Sequence, residues 1–204
     1  ALALLEALSV ESGRQGVPVP DGIFHMVLGD AQAGDALVRA RPVRTISFTG
    51  SRRVGDQVDA VASGLGKRVM KELGGINVFY VHRDADLDRA ARNFIHGKTI
   101  TGGQRCSSIQ EVLVDKEVHD EFLERAIALA RNVIQGPGAS KELAEADRTP
   151  GRFSCPPLAS EEQLERLGRL VHESVEKGAR VIYQAKVPRK LAGEGYYFPL
   201  TFLG

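Results

Sequence analysis

Short apolar runs alternate with amphipathic stretches in the first third of the chain. Ile23–Leu28 and Thr45–Phe48 are apolar enough for buried strands, and each precedes a glycine turn and a helical pattern. The helices are predicted at about Ala33–Arg41, which Pro42 ends, and at about Arg53–Ala62. Strand, turn and helix in this repeated order predict a parallel α/β sheet.

A second series of elements surrounds the glycine pair Gly74-Gly75, where two α/β units are predicted to meet. Asp84 and Asp86 can cap a helix, and residues 136–158, rich in Gly, Pro, Ala and Ser, predict a surface connection. The strands are predicted at Arg68–Leu73, Asn77–Val81, Ile109–Val114, Val181–Tyr183 and Tyr197–Phe202, and the helices at Leu87–Gly97, Val118–Val133 and Glu161–Lys177.

Composition narrows the class of protein. The 204 residues are 43% hydrophobic and 26% charged, with a formal net charge of +1, so nucleic acid and anionic membranes are not expected partners. No apolar stretch reaches the roughly 18 residues of a membrane helix, and the opening Ala1–Leu5 lacks the basic flank of a signal peptide. Two cysteines without Cys-x-x-Cys spacing and scattered histidines argue against disulfides and metal sites. These features favour a cytoplasmic protein.

Two glycine turns and a carboxylate carry the candidate chemistry. Phe48–Gly55 places glycines between a strand and a helix, where backbone N–H groups can receive a phosphate, although many strand-to-helix turns simply need glycine. Glu72 lies at the carboxyl end of a predicted strand, just before Gly74-Gly75. In open α/β sheets, ligand crevices form at the carboxyl ends of the strands. Glu72 is therefore either a general base or a solvated surface glutamate.

Cys106 lies among small polar residues, in the run Gly103-Gln104-Arg105-Cys106-Ser107. Free cysteines are commonly buried core residues. A polar turn with a neighbouring arginine instead favours the thiolate, which is the nucleophilic form. Cys106 and Glu72 together would supply a nucleophile and a base for covalent catalysis on a carbonyl.

In combination these segments resemble the NAD(P)-dependent aldehyde dehydrogenase superfamily. Four segments carry the resemblance in the family's order: Phe-Thr-Gly-Ser at 48–51, Glu-Leu-Gly-Gly at 72–75, the Asp84–Asp88 stretch, and Gly-Gln-x-Cys at 103–106. The resemblance implies an α/β fold, with part of a Rossmann-like cofactor domain followed by part of the α/β catalytic domain of an aldehyde dehydrogenase fold. The corresponding boundaries are residues 1–73 and 74–204.

The family's chemistry implies a role for each matching position. Cys106 would attack the aldehyde and pass through a thiohemiacetal and a thioester, its backbone N–H forming half of an oxyanion hole, and Glu72 would activate the hydrolytic water. Ser51 would bind the cofactor pyrophosphate, with Gly50 towards the nicotinamide and Val54 in the adenine pocket. The implied cofactor is NAD or NADP, and its site is formed by Phe48, Thr49, Gly50, Ser51, Val54, Leu73 and Gly74.

The chain also departs from the family pattern. The resemblance implies that these residues begin inside the cofactor domain and stop before the segments used for the nicotinamide ribose and for homo-oligomer assembly. Ile76 stands where the family commonly has a polar residue, and the family's Gly-Pro-Leu is altered near Pro157. We therefore expect little or no dehydrogenase activity from these 204 residues alone. Two alternatives stay open: a non-catalytic interaction module that keeps the fold, and a cofactor-independent cysteine esterase using Cys106 and Glu72.

Overall fold

The computed structural model describes residues 2–18, 20, 22–138, 140–146, 148–149 and 151–204. Positions 1, 19, 21, 139, 147 and 150 lie outside the described residues, so the opening Ala1–Leu5 stretch and the predicted connection 136–158 are described only in part. The chain divides between Gly74 and Gly75 into two compact units.

The first unit is built around one β-α-β crossover. Strands β1 and β2 are parallel, with Ile46 opposite Val69, and the helix between them packs on both. Alternate strand residues, such as Phe48 and Leu73, are half-buried on the helix side, while the opposite face is exposed. The elements of this unit are α1 (Leu2–Gln15), α2 (Ala31–Arg39), β1 (Thr45–Gly50), α3 (Arg52–Gly64) and β2 (Arg68–Leu73).

Two lysines join the elements of the first unit. The Lys67 ammonium donates to the carbonyls of Val38 and Ala40 at the end of α2, where a cation also complements the helix dipole. Lys71 on β2 pairs with Asp56 and Asp59 on α3 at 3.1 and 2.7 Å. Its hydrogen bond lowers the pKa of Asp59. These contacts tie the end of α2 and the middle of α3 to β2 and to the residue before it.

The predicted first strand, Ile23–Leu28, is wrong. These residues have no regular secondary structure, and their apolar side chains are exposed, with Ile23 at 60% and Leu28 at 83%. A strand forms only where a neighbour accepts its backbone hydrogen bonds, and the described part of the chain offers this run none. The apolar composition of this run was therefore not sufficient to predict a strand.

The second unit contains three short sheets and four helices among its described residues. Strand β3 pairs in parallel with β4, β5 in parallel with β6, and β7 in antiparallel with β8. Its elements are β3 (Asn77–Val81), α4 (Leu87–Thr99), β4 (Ile109–Val114), α5 (His119–Ala130), β5 (Val133–Gln135), α6 (Lys141–Ala146), β6 (Phe153–Cys155), α7 (Glu161–Glu176), β7 (Val181–Gln184) and β8 (Thr201–Leu203).

The core of the second unit lies between α4, α5 and the strands. The rings of Phe94 and Phe122 lie 5.9 Å apart, and those of Phe94 and Phe202 lie 5.4 Å apart. Ile95 and Ala126 are fully buried between them. Asp86 begins α4 by accepting a hydrogen bond from the Arg89 N–H at 3.0 Å, as its capping role predicted. This packing fixes α4, the helix that leads to the cysteine turn.

Three further differences from the sequence predictions are larger than a shift of one or two residues at the end of an element. Residues 136–158 are not a simple surface connection, because they contain α6 and β6, whose Leu143 and Phe153 are buried. The helix predicted to reach Val133 ends at Ala130, since Val133 pairs with β6 instead. The last strand is shorter than predicted, and Pro199 has no N–H for a ladder. Among the described residues, no helix has both the length and the apolarity needed to cross a membrane.

Candidate active site

The turn after β1 forms an open helix N-terminus. Ser51 caps α3, its Oγ accepting from the Val54 N–H at 3.3 Å, and its carbonyl accepts from the Gly55 N–H at 2.9 Å. The first N–H groups of a helix, here those of Arg52 and Arg53, have no acceptor inside the helix. Because Ser51 uses its oxygen as an acceptor, its O–H remains able to donate. The turn can therefore receive an anion with both backbone and hydroxyl donors.

Close packing at this turn requires its glycines. A Cβ on Gly50 would lie 2.6 Å from the Phe48 ring, and one on Gly55 would lie 2.7 Å from Leu73 Cδ2. The parallel register places Gly50 opposite Leu73 at the carboxyl ends of both strands. The structure thus brings Phe48, Gly50 and Leu73 together beside the start of α3. Gly74, which follows Leu73, is exposed with open space around its Cα.

Glu72 lies on the exposed face of β2, opposite Thr49 in the register. Among the described residues, its carboxylate has no hydrogen-bond or salt-bridge partner, in contrast to Asp56 and Asp59 on the helix side. A carboxylate that is exposed and unpaired is accessible to water and free to accept a proton. The solvated-surface interpretation and the general-base interpretation both fit this position.

The cysteine turn begins in a strained, left-handed backbone. Thr101, Gly102 and Gly103 have φ values of 55°, 64° and 72°. A Cβ on Gly102 would lie 2.9 Å from the Pro156 carbonyl oxygen, and one on Gly103 would lie 2.9 Å from the Lys98 carbonyl oxygen. Both glycines are needed for this path. Thr101, a non-glycine residue with positive φ, is the kind of outlier that concentrates at functional loops.

Gln104 ties the cysteine turn to the segment that follows β6. Its Nε2 donates to the carbonyls of Thr101 and Pro157 at 3.1 and 3.2 Å, and its Oε1 accepts from the Ala159 N–H at 2.8 Å. Arg105 is also held, because its Nε donates to Thr101 Oγ1 at 3.0 Å. The glutamine before the cysteine therefore positions the loop.

Asn77, the first residue of β3, fixes the backbone of the cysteine itself. Its Nδ2 donates to the carbonyls of Cys106 and Ser108 at 2.6 and 2.9 Å. Ser108 is buried and closes the turn by accepting from the Arg105 N–H at 3.2 Å. Sequence reasoning missed this contact. The one available signal was a polar residue at the head of an otherwise apolar strand.

The result is a free thiol on a fixed backbone. Cys106 is exposed, unlike a core cysteine, and makes no disulfide. In the described structure its backbone N–H has no hydrogen-bond acceptor, so it can donate to a ligand. The buried-core interpretation of Cys106 is therefore wrong for this structure. Cys106 belongs to the second unit and Glu72 to the first, and their pairing stays a prediction.

The described residues contain no group of three or more His, Cys, Asp and Glu side chains able to hold a metal. Three of the five histidines, His82, His119 and His172, each contact a single carboxylate. His82 Nδ1 lies 2.6 Å from Asp84, whose hydrogen bond raises the pKa of this exposed imidazole. Asp84 thus pairs with His82, while Asp86 caps α4.

A comparison with known families decides what these turns belong to. The sequence profile described as "Aldehyde dehydrogenase family" matches residues 4–204, which include both glycine turns and Cys106. The chain belongs to the aldehyde dehydrogenase family. The resemblance read from its motifs is confirmed.

Three curated relatives of this aldehyde dehydrogenase chain are each longer than it. Betaine aldehyde dehydrogenase of Rhizobium johnstonii is 33% identical over 197 residues, covering 97% of this chain and 38% of the relative. Lactaldehyde dehydrogenase of Escherichia coli is 32% identical over 190 residues, covering 92% and 37%. D-glyceraldehyde dehydrogenase (NADP(+)) of Thermoplasma acidophilum is 28% identical, covering 91% and 36%. The chain spans less than two-fifths of the length of these relatives.

Solved structures confirm the fold. An oxidoreductase from Marinobacter aquaeolei superposes with a TM-score of 0.76 at 30% identity, covering 92% of this chain and 37% of that one. Betaine aldehyde dehydrogenase from Staphylococcus aureus, in complex with NAD+, gives a TM-score of 0.81 at 23% identity, covering 97% and 38%. The predicted class, part of an α/β aldehyde dehydrogenase fold, is confirmed.

Proposed function

We propose that this chain carries the cofactor turn and the nucleophile of an enzyme that oxidises a small aldehyde to a carboxylic acid with NAD or NADP. One observation carries the proposal: Cys106 is an exposed, free thiol whose own N–H is unpaired and whose carbonyl Asn77 holds in place. A nucleophile beside an available donor is the arrangement that acyl-transfer chemistry on a carbonyl needs.

The residues of the first turn fit a dinucleotide. The N–H groups at the start of α3 and the Ser51 hydroxyl would hold the pyrophosphate, with Val54 against the adenine and Phe48, Thr49 and Gly50 lining the approach. Leu73 and Gly74 would face the nicotinamide, which accepts a hydride when bound. Relatives and fold neighbours are named for both NAD+ and NADP, so both cofactors belong in the test.

Cys106 would open the reaction by adding its sulfur to the aldehyde carbon. The oxygen then becomes negative, and the Cys106 N–H would donate to it, since no protein acceptor among the described residues competes. Loss of its hydride, which a bound nicotinamide would accept, would convert the thiohemiacetal into a thioester. The hydrogen bonds from Asn77 matter here because they hold the carbonyls of Cys106 and Ser108, and so limit movement of the turn that carries this N–H.

Glu72 would complete the reaction by accepting a proton from the water that hydrolyses the thioester. The carboxylate is exposed and unpaired among the described residues, so it can hold a water without breaking a salt bridge. General-base catalysis of this kind contributes about 10²–10⁴-fold in rate. The carboxylic acid then leaves and Cys106 is regenerated.

The rest of the assignment follows from this chemistry. The first unit would be the cofactor part and the second the catalytic part, with a soluble small-molecule aldehyde as substrate and the cytoplasm as the compartment that keeps Cys106 reduced. The family resemblance implies a homo-oligomer for the full-length enzyme.

Aldehyde-dependent reduction of NAD+ and NADP+ by the full-length enzyme, followed by the absorbance of the reduced nicotinamide, tests the proposal, because we expect little or no activity from these 204 residues alone. We expect Cys106→Ser to abolish the signal and Ser107→Ala, its exposed neighbour, to preserve it. Equal rates in both variants would overturn the role of Cys106. Cysteine-dependent ester hydrolysis without any nucleotide, and without nicotinamide reduction, would favour the esterase alternative instead.

A further inference from the structure

The second unit contains a cleft of about 660 Å³ whose lining includes Gly102, Gly103 and Gln104 of the cysteine turn but not Cys106 itself. Lys98, Gln110 and Cys155 form its polar side, and Leu167, Val171 and Leu200 line its apolar side. A second cleft of about 450 Å³ shares Lys98 and Gln110 with the first. Lys98 therefore lies where the two clefts meet. Volumes of this size suit small molecules.

Lys98 is a cation without a counter-ion. Its Nζ donates to Gln110 Oε1 at 3.0 Å, and no Asp or Glu oxygen of the described residues lies within salt-bridge distance. Burial lowers the pKa of this half-buried lysine, because desolvation disfavours the charged ammonium. Charges removed from water in proteins are normally paired. The described residues give this ammonium no negative partner, so the position favours an anionic ligand.

Cys155 does not supply that charge. It ends β6 and lines the same cleft, but burial raises the pKa of its thiol, and the opposing effects of Gln135 and Lys98 are smaller. The thiol is therefore neutral near pH 7. Gln110 uses its carbonyl oxygen on Lys98, so its amide N–H groups remain available as donors. The two side chains together present N–H donors to one anionic group.

We propose that this cleft binds an aliphatic monocarboxylate, with the carboxylate on Lys98 and Gln110 and the hydrocarbon tail along Leu167, Val171 and Leu200. A single unpaired ammonium is matched by a single negative charge, and two carboxylate oxygens match two neighbouring donors. The apolar wall gives an alkyl tail a surface to leave water. The inference depends on these residues and not on Cys106 or Glu72.

Binding of octanoate to the chain, measured by calorimetry, tests the charge. Lys98→Met keeps the apolar stem and removes the ammonium, and we expect octanoate to bind on the order of tenfold to a hundredfold more weakly. Lys98→Arg should retain binding, and Lys116→Met, an exposed lysine elsewhere, should not change it. Octanol has the same tail and no charge. It should bind weakly, and with equal affinity to wild type and to Lys98→Met.

Alkylation of Cys155 tests the location. In a Cys106→Ser background Cys155 is the one remaining thiol, so iodoacetamide reports on the cleft alone. Octanoate at about ten times its dissociation constant should slow the labelling roughly tenfold. Saturating octanoate that leaves the labelling rate unchanged, or binding that Lys98→Met does not weaken, would overturn the proposal. Absence of any octanoate binding would also overturn it.

Discussion

Asn77→Ala removes the side chain that holds the cysteine turn. The Asn77 amide donates to the carbonyls of Cys106 and Ser108 at 2.6 and 2.9 Å, and alanine can replace neither bond. Ser108 is buried, with 1% of its surface exposed, so water cannot easily reach its carbonyl oxygen. The variant therefore leaves at least one acceptor poorly satisfied.

The magnitude follows from the two lost bonds. Each is worth about 0.5–1.5 kcal/mol net, which gives a loss of about 2 kcal/mol in the free energy of unfolding. For a unit of this size, 1 kcal/mol shifts the melting temperature by roughly 4 °C, so we expect a fall of about 8 °C. Because Asn77 begins β3 without contributing to the apolar core, little packing should be lost with it.

Differential scanning calorimetry, together with urea unfolding, measures this loss. Asn132→Ala is the matched control, since its amide reaches only the Ala128 carbonyl, at 3.4 Å on an exposed surface, and should cost under about 0.5 kcal/mol. Asn77→Asp sharpens the test by placing carboxylate oxygens against two carbonyls, and should destabilise at least as much as alanine. If Asn77→Asp or Asn77→Ala were as stable as wild type, the assigned clamp would be wrong.

Three further predictions concern the second unit. Asp86→Ala removes the N-cap of α4 and should cost about 1 kcal/mol in urea unfolding. Gly102→Ala combines a φ of 64° with a Cβ 2.9 Å from the Pro156 carbonyl, and should cost more than about 1 kcal/mol. Asp84 raises the pKa of His82 above its ordinary value of about 6.5, so an NMR titration should show this pKa falling in Asp84→Asn.

The direction in which His82 protonation changes protein stability can be checked by measuring the free energy of unfolding at several pH values. A raised folded-state pKa stabilises the protein fully below the unfolded value of about 6.5, and the stabilisation is lost as pH rises through the folded value. Asp84→Asn removes this stabilisation, so the variant should be less stable than wild type at low pH and should approach wild type as the pH rises above neutrality. A difference that grew with pH would contradict the pairing. Wild-type stability in Asp86→Ala or Gly102→Ala would contradict the cap and the backbone assignment.

Local signals predicted most of the elements. Strands β2, β3 and β4 have the predicted bounds because short apolar runs, ended by turn residues, specify them without distant information. The start of α4 was also predictable, since Asp86 acts within its own turn. These signals specify the individual helices and strands. Pairing between strands that are far apart in the sequence then places them in sheets.

The errors fall where distant contacts decide the structure. Ile23–Leu28 has the composition of a strand but no partner among the described residues, and Val133 continues a helical period yet pairs with β6. The spacing of apolar residues in one segment cannot show whether that segment becomes a strand, because this depends on a pairing strand elsewhere in the chain. The buried α6 was hidden for the same reason in a segment of turn-forming composition.

The candidate site shows the same division. The glycine turns could be found from the sequence, because glycines before a helix or a cysteine form short patterns. The contacts that position Cys106 could not, because Gln104 reaches Pro157 and Asn77 reaches the turn from another strand. Lys98 gave no sequence signal, since its lack of a counter-ion is visible only in the folded unit.

Mass spectrometry of Glu72→Gln in the full-length enzyme, after incubation with an aldehyde and NAD+ or NADP+, tests the central claim most directly. Without its base, the enzyme should transfer the hydride but hydrolyse the thioester slowly, so an acyl group should accumulate. We predict that this group lies on the peptide containing Cys106, and that Glu124→Gln, a control at an exposed glutamate, accumulates less of it. No adduct, or an adduct on Cys155, would contradict the assignment of Cys106 as the nucleophile.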